Sequence, residues 1–291
     1  MQIQKSYEAL NDTGILYLVG TPIGNLEDMT YRAVRTLKEA DLIAAEDTRQ
    51  SRKLLTHFDI PGRLVSYHEH NKQASGPELV RLMSEGQTIA LISDAGLPAI
   101  SDPGHDLVRL AIEAGIPVVP IPGANAALSA LIASGLPTDE FTFIGFLPRE
   151  KKDMQRELTR LMPAPGTLLF YESPHRVMRT LEQMLEVWGD RQVCLARELT
   201  KRFEEFARGT VSQALEYLGE HPPQGEYVLL VEGRSKAEAA VAEAAWWQEL
   251  TLEDHAEHYV QQGLSKKDAI KKTASDRGLP KREVYNELLR D

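Results

Sequence analysis

TIALISDAGLPAISDPGHDLVRLAIE, residues 88–113, decides the fold. Residues 88–93 are a short apolar run of strand type, and residues 104–113 repeat apolar side chains at helical spacing. Between them lies a loop of roughly ten residues, longer than an α/β connection requires, carrying two Ser-Asp pairs and two prolines. A strand, a long rigid loop at its carboxyl end and a helix returning along the sheet make one unit of a parallel α/β fold. Ligands of such folds bind in the crevice beyond the strands' carboxyl ends. Asp94 could accept from a ribose hydroxyl or an amine, and Gly96 and Pro98 let backbone groups approach a ligand.

Working outward, the same alternation continues on both sides. Strands are expected at residues 15–19, 42–45, 63–67 and 116–121, and helices at 31–40 (with Thr30 as N-cap), 51–57 and 78–84. From residue 142 the chain changes character. Strands at 167–171, 192–196 and 227–231, a helix at 177–187 and a hairpin-like piece at 203–210 imply a second, mixed sheet. The expected organisation is a leader at 1–13, a first α/β domain at 14–145, a second at 146–234, and a helical linker with a helix-turn-helix-like extension at 235–291. In that extension, SKAEAAVAEAAWWQEL reads as a linker helix, followed by two more helices parted by a sharp turn at Gly278, Leu279 and Pro280.

Composition bounds the function. The 291 residues exceed the usual size of one domain, 42% are hydrophobic and 26% charged, so a packed soluble fold is expected. No apolar run reaches the roughly 20 residues that cross a bilayer, and MQIQKSYEALNDTG has no signal-peptide core, which points to a cytoplasmic protein without membrane contact. Cys194 is the one cysteine, expected in a buried strand. His68 and His70 would share a strand face without further ligands, and His255 and His258 are expected to face solvent, so no metal is expected. A net charge of −10 excludes nucleic-acid binding over the whole surface; any RNA contact must be local.

Three other segments could carry chemistry. VGTPIGNLEDMT, residues 19–30, follows the first strand, and Gly20 and Gly24 allow a sharp turn there; it is neither a dinucleotide-binding glycine fingerprint nor a Walker loop. AAEDTR, residues 44–49, sets Glu46, Asp47 and Arg49 just past a strand, either as a structural ion-pair cluster at a helix start or as groups that bind substrate and handle protons. In PIPGANAALSALI, residues 120–132, Gly123 opens an alanine-rich helix.

In order and spacing these segments, with FIGFLPR, YESPHR and ARELTKRFEE, resemble the tetrapyrrole methylase superfamily of class III S-adenosylmethionine methyltransferases. Within it the chain looks like the branch that 2′-O-methylates a cytidine of small-subunit (16S) ribosomal RNA. The resemblance spans about residues 14–233. It implies two α/β domains with S-adenosylmethionine in the cleft between them, in a homodimer. Family cofactor contacts fall on Ser93, Asp94, Ala95, Leu97, Pro98 and Ser101, and on Glu172 and Ser173 in the second domain. Corrin and sirohaem relatives carry Gly-Asp-Pro where this chain has Ser93-Asp94-Ala95, which argues against a tetrapyrrole substrate.

A ribose hydroxyl is a poor nucleophile, so a methyltransferase acting on it must orient it and remove its proton. In ARELTKRFEE, Glu198 and Lys201 fall within one helical turn if the backbone is locally helical, as catalytic groups or as a surface ion pair; Glu46 and Asp47 are rival proton acceptors. The segment 263–291 carries eight cations against five anions, a reversal of the overall sign. Lys266, Lys267, Lys271, Lys272, Lys281 and Arg282 would contact phosphates, with Ser265 and Asp268 close to a capping box and Pro280 opening the next helix. Arg149, Lys151 and Lys152 offer a second basic patch near the cleft, or a solvated loop, and Arg49 is a further candidate for binding substrate. The expected partner is ribosomal RNA or the small ribosomal subunit. The alternatives are methylation of a tetrapyrrole or a protein side chain on the same scaffold, and a non-enzymatic RNA-binding factor.

Overall fold

The computed structural model of the chain describes residues 1, 3–5, 13–234, 247 and 250–288. Residues Met1–Met162 and Gly166–Glu232 form one compact unit, and Pro163–Pro165 with Gly233–Asp291 a second.

In the larger unit a five-stranded parallel sheet comes first. Its elements are β1 (Leu16–Val19), α1 (Tyr31–Glu39), β2 (Leu42–Ala45), α2 (Thr48–His57), β3 (Leu64–Ser66), α3 (Lys72–Ser84), β4 (Ile89–Ile92), α4 (His105–Glu113) and β5 (Val118–Ile121). The strand order is β3-β2-β4-β1-β5. The inner strands LIAA and IALI are buried at every position, as strands covered on both faces must be. Leu16, Leu42 and Leu91 pack with Leu79, Met83, Leu107 and Ala111 of α3 and α4. On the other face Val19, Ile43 and Ile92 meet Ala33, Leu37 and Leu55 of α1 and α2. Each fully buried Leu or Ile contributes about 1.5–3 kcal/mol. After β1 the chain crosses toward β2, and after β4 toward β5, so β1 and β4 are neighbours with connections running opposite ways. The two connections therefore pass each other beyond the carboxyl ends, the edge of such a sheet at which ligands bind.

Local signals set the helix starts. The Thr30 hydroxyl accepts from the Ala33 amide at 3.1 Å and caps α1, as expected. Asp47 is the N-cap of α2, accepting from the Arg49 amide at 2.8 Å. Helix α3 begins six residues earlier than the sequence indicates and runs through Gly76 and Pro77. The proline removes one backbone donor. The missing side chain of Gly76 lets Leu110 of α4 pack against it, since a Cβ there would lie 3.2 Å from Leu110 Cδ1. Strand β3 ends at Ser66, so His68 and His70 lie in the turn before α3 and share no strand face.

The second sheet is mixed, with order β6-β7-β10-β8-β9. It comprises β6 (Phe141–Phe146), α6 (Lys151–Leu161), β7 (Thr167–Glu172), α7 (Val177–Trp188), β8 (Gln192–Arg197), β9 (Glu205–Thr210), α8 (Val211–Glu220) and β10 (Tyr227–Glu232). Strands β6 and β7 are parallel; β10 runs antiparallel to β7 and β8, and β8 and β9 form a hairpin. Helix α5 (Ala126–Ser134) joins the sheets and packs Ala127, Ala130 and Leu131 on Leu169, Ala196 and Leu230 of the second. The change of sheet therefore precedes α5, and Gly145 lies inside β6 rather than at a boundary. Cys194 is buried, and burial pushes its thiol up to about 11.

In the smaller unit three helices are described: α9 (Leu252–Gln261), α10 (Lys266–Asp276) and α11 (Lys281–Leu288). Apart from residues 247 and 250, the linker helix lies outside the described residues. Gly278, at φ 63°, makes the left-handed turn between α10 and α11. The Ser265 hydroxyl caps α10, accepting from the Asp268 amide at 3.2 Å. His255 is buried, contrary to the solvent-facing position expected for it, and stacks on Trp247 with ring centroids 5.6 Å apart. Arg277 donates to it at 3.1 Å and to the carbonyls of Trp247 and Leu250, so this cation is part of the packing.

Candidate functional site

Two glycine-rich loops define the crevice. After β1, the amide and carbonyl of Thr21 exchange hydrogen bonds with Gly96 of the β4 loop, at 2.9 and 3.1 Å. Gly20 then passes so close to Gly123 that a Cβ on Gly20 would lie 2.8 Å from Gly123 Cα. Neither Gly20 nor Gly24 has positive φ, so both serve close approach and not the sharp turn expected of them; Gly123 likewise precedes α5 by three residues. A Cβ on Gly24 would strike Lys201 Cγ at 2.5 Å, which shows how tightly the β1 loop lies against the turn after β8.

These loops and the ends of the second sheet enclose a cleft of about 460 Å³. From the first sheet it is lined by Glu46 and by Asp94, Ala95, Leu97, Ile100, Ser101 and Asp102. Tyr171, Glu172 and Ser173 face it from the end of β7, Glu198 and Lys201 from the turn after β8, and Glu226 from the start of β10. Of the expected cofactor residues, Ser93 and Pro98 do not line it. Both are buried, and the Ser93 hydroxyl serves the loop itself, 3.4 Å from the carbonyls of Ala95 and Gly96. Asp47 and Arg49 are also absent from the lining: Asp47 caps α2, and the Arg49 side chain is 90% exposed.

Four of the chain's left-handed non-glycine residues occur on the two cleft loops: Ala99 and Ser101 on one, Glu198 and Thr200 on the other. Each costs roughly 1–3 kcal/mol, a strain that concentrates at functional sites. The turn after β8 is not helical. It brings Glu198 and Lys201 together all the same, with Lys201 Nζ 2.9 Å from Glu198 Oε1 and 2.9 Å from Glu226 Oε2. Glu172 is buried at the end of β7 and accepts from the Ser173 amide and the Thr180 hydroxyl, both at 2.8 Å.

Charge in the cleft is lopsided, with six carboxylates against Lys201. The Lys201 hydrogen bond, opposed by burial, holds Glu198 below the ordinary carboxylate range. Burial lowers Lys201, but its bonds to Glu198 and Glu226 outweigh that and leave it raised. Burial, followed by the charges of Asp102, Asp94 and Asp47, raises Glu46. Asp102 is pushed up to about 6 by burial and by the Asp94 charge. The sequence shows the second Ser-Asp pair of the loop but does not single out Asp102; Tyr171 and Phe146 lie within YESPHR and FIGFLPR without being singled out, and Glu226 has no signal of its own. Among the described residues no group of His, Cys, Asp and Glu could hold a metal ion, and no helix is long and apolar enough to cross a membrane.

The basic residues expected to meet RNA do not line the cleft. Arg149, Lys151 and Lys152 are exposed around the start of α6, with Lys151 3.8 Å from Glu186. In the smaller unit, Lys266, Lys267, Lys271, Lys272, Lys281 and Arg282 are all exposed. Only Lys272 of these has an ion-pair partner among the described residues, Asp276 at 3.4 Å.

A parallel sheet and a mixed sheet closing on one acidic, non-Rossmann cleft define a class. Residues 15–215 match the tetrapyrrole (corrin/porphyrin) methylases, and the chain belongs to that family. It is 58% identical to "Ribosomal RNA small subunit methyltransferase I" of Halalkalibacterium halodurans over 98% of both chains, and 53% identical to the protein of that name in Bacillus subtilis over 97% of both. Among solved structures it resembles uroporphyrin-III-C-methyltransferase from Thermus thermophilus (TM-score 0.54, 24% identity, 79% of this chain and 97% of that one). The same Thermus enzyme complexed with S-adenyl homocysteine gives a TM-score of 0.53 at 22% identity, covering 75% of this chain and 97% of that one. These structural likenesses establish the fold.

Proposed function

We propose that this protein transfers a methyl group from S-adenosylmethionine to small-subunit ribosomal RNA, and that the acceptor is the 2′-oxygen of a cytidine ribose. The observation that carries the reading is similarity along nearly the whole chain, tail included, to proteins named for that RNA. The cleft fits the cofactor. Its carboxylates suit a cationic sulfonium and would repel a pyrophosphate, and Leu97, Ile100 and Tyr171 supply apolar surface for a purine. Asp94, Ala95, Leu97, Ser101, Glu172 and Ser173 would hold it, while Ser93 and Pro98 shape the loop. When bound, the cofactor supplies an electrophilic methyl carbon for in-line displacement.

The chain's own residues then have three tasks. Lys201, fixed by Glu198 and Glu226, places one positive charge where the hydroxyl oxygen gains electron density. Glu198 positions that lysine and is itself too acidic to be a good proton acceptor. The acidic cleft admits a ribose and keeps its phosphates outside, where Arg49, Arg149, Lys151 and Lys152 can meet them. On the tail, α10, the turn at Gly278 and α11 match a helix-turn-helix, and Lys266, Lys267, Lys271, Lys281 and Arg282 present free charge to RNA, with Lys272 beside them. Leu128 and Ile132, one turn apart on the exposed side of α5, support assembly as a homodimer, and a ribosomal substrate would be met in the cytoplasm.

Incubation of the purified protein with radiolabelled methyl donor and either naked rRNA or small subunits tests this. Label recovered as 2′-O-methylcytidine is the expected result. Cofactor binding without transfer to any RNA would favour the non-enzymatic factor, and label on a base or on protein would remove the ribose assignment.

A further inference from the structure

We propose that the surface of α1 and α2 is a second contact with RNA: a shallow site for one base of a single-stranded segment, joined to the cleft by a row of cations. The inference rests on the ribosomal-RNA reading above. In a chain of net charge −10, these two helices carry six Lys and Arg side chains and one carboxylate, Glu39. Arg32, Arg35, Lys38, Arg49, Arg52 and Lys53 are all exposed. Of the six only Arg49 has an ion-pair partner among the described residues, Asp47 at 3.4 Å. Both helices pack on the same face of the first sheet, so the charges accumulate on one side of the molecule. A local excess of exposed cations on an otherwise acidic protein attracts a polyanion.

Spacing turns these charges into a path. Arg49, Arg52 and Lys53 stand at i, i+3 and i+4 and share one face of α2. That helix starts at the cleft, because its N-cap Asp47 follows Glu46, which lines the cleft. Its ten residues extend about 15 Å and end at Phe58, which borders a shallow depression of about 470 Å³ beside α1. The floor there is apolar: Met29, Val34 and Phe58 are half-buried and rest on the core of that face. Tyr31, Val34, Arg35 and Lys38 follow one another at helical spacing along the α1 side. The Tyr31 side chain is 98% exposed and adds nothing to the core. Its ring offers a face for a base, Arg35 and Lys38 meet the adjoining phosphates, and Glu39 can accept from the exocyclic amine of a base.

This chemistry selects a single strand. Unpaired bases stack on aromatic rings while their backbone lies along cations. A double helix would bring phosphates to the arginines but no base to Tyr31. A second copy of this chain, seated face to face, would set these six cations against six more, a repulsion that the one Glu39 on these helices does not offset. Because α2 separates the depression from the cleft, the base received there belongs to a neighbour of the methylated nucleotide. Tyr31, Arg35 and Lys38 are thus positioning residues, which hold the strand while the target ribose enters the cleft.

Binding of an unmodified small-subunit rRNA transcript to the full-length protein, followed over a series of salt concentrations, tests the proposal. Tyr31→Ala should weaken affinity about 5- to 100-fold, leave the slope of log affinity against log salt unchanged, and raise KM for RNA in proportion; Tyr31→Phe should restore all three. Arg52→Gln combined with Lys53→Gln should instead flatten that slope by about 1.4. Calorimetric affinity for S-adenosylhomocysteine should stay within about threefold of native in each variant, since none of these residues lines the cleft, and this shows that the variants are folded. Tyr31→Ala and the Arg52/Lys53 pair both binding RNA within about twofold of native at every salt concentration would overturn the proposal. Variants that keep RNA affinity but lose self-association would overturn it in favour of a second copy of the chain. Native protein that binds the transcript yet methylates no ribose would strike the methylation reading and leave this contact standing, whereas native protein that binds no RNA would strike both.

Discussion

Lys201 sits 2.9 Å from each of two carboxylates, so its charge is partly neutralised before any ligand arrives and its position is fixed. A fixed charge aimed at a developing oxyanion acts on the transition state more than on binding. Lys201→Ala should therefore slow transfer by about 10²-fold or more and leave cofactor affinity nearly unchanged, whereas Asp94→Ala should weaken cofactor binding; calorimetry beside single-turnover rates would expose the opposite pattern. Asp102 also leaves a mark on stability. Its folded-state pKa of about 6 lies above the ordinary 3.8, so the folded state disfavours the ionised form. That destabilisation grows from about pH 4, is complete above about pH 6, and is relieved as pH falls. Asp102→Asn should hence stabilise the protein at pH 8, by about 1–2 kcal/mol after allowance for solvent screening, and have no effect at pH 4. Urea midpoints at both pH values measure this; equal shifts would contradict it.

At the scale of elements, the cleft exists because loops from separate strands touch without side chains between them. Gly20 and Gly123 meet backbone to backbone, and Thr21 and Gly96 close a two-bond bridge beside them. Gly20→Ala should cost about 1–3 kcal/mol from overpacking and weaken cofactor binding with it, read by thermal melting with and without S-adenosylhomocysteine. A variant as stable as the native protein would mean that the loops can part. These contacts also mark how far the sequence could be read. Strands β2 and β4 and the Thr30 cap were legible because apolar runs and capping residues are local signals. Helix α3 was legible only from residue 78, because Gly76 and Pro77 read as breakers and only the packing of α4 against Gly76 explains their tolerance. Helix α8 was missed although Thr210 and Gln213 form a capping box. In the site, Glu198 and Lys201 were paired for the wrong reason: the backbone there is a left-handed turn and not a helix. Asp102 was passed over because burial and the neighbouring charge are properties of the fold, invisible in the pair Ser101-Asp102.

For the whole molecule, charge is divided between functions. The cleft is acidic, and exposed cations stand around the start of α6 and on the tail helices. Arg277, counted among the tail cations in the sequence, is taken up by Trp247, Leu250 and His255, and among the described residues Lys266, Lys267, Lys271, Lys281 and Arg282 are exposed with no ion-pair partner. Neutralising Lys266, Lys267, Lys281 and Arg282 together should weaken RNA binding at all sequences and flatten the slope of log affinity against log salt by about 3. Removing the chain after Gly233 should spare cofactor binding, because both sheets belong to the other compact unit. Transfer to small subunits that survives the truncation undiminished would deny the tail its role. The most direct test of the central claim is mass-spectrometric nucleoside mapping of ribosomal RNA from cells lacking this protein. One 2′-O-methylcytidine should vanish from the small-subunit RNA and return on complementation with the native chain; an unchanged complement of ribose methylations would contradict the account.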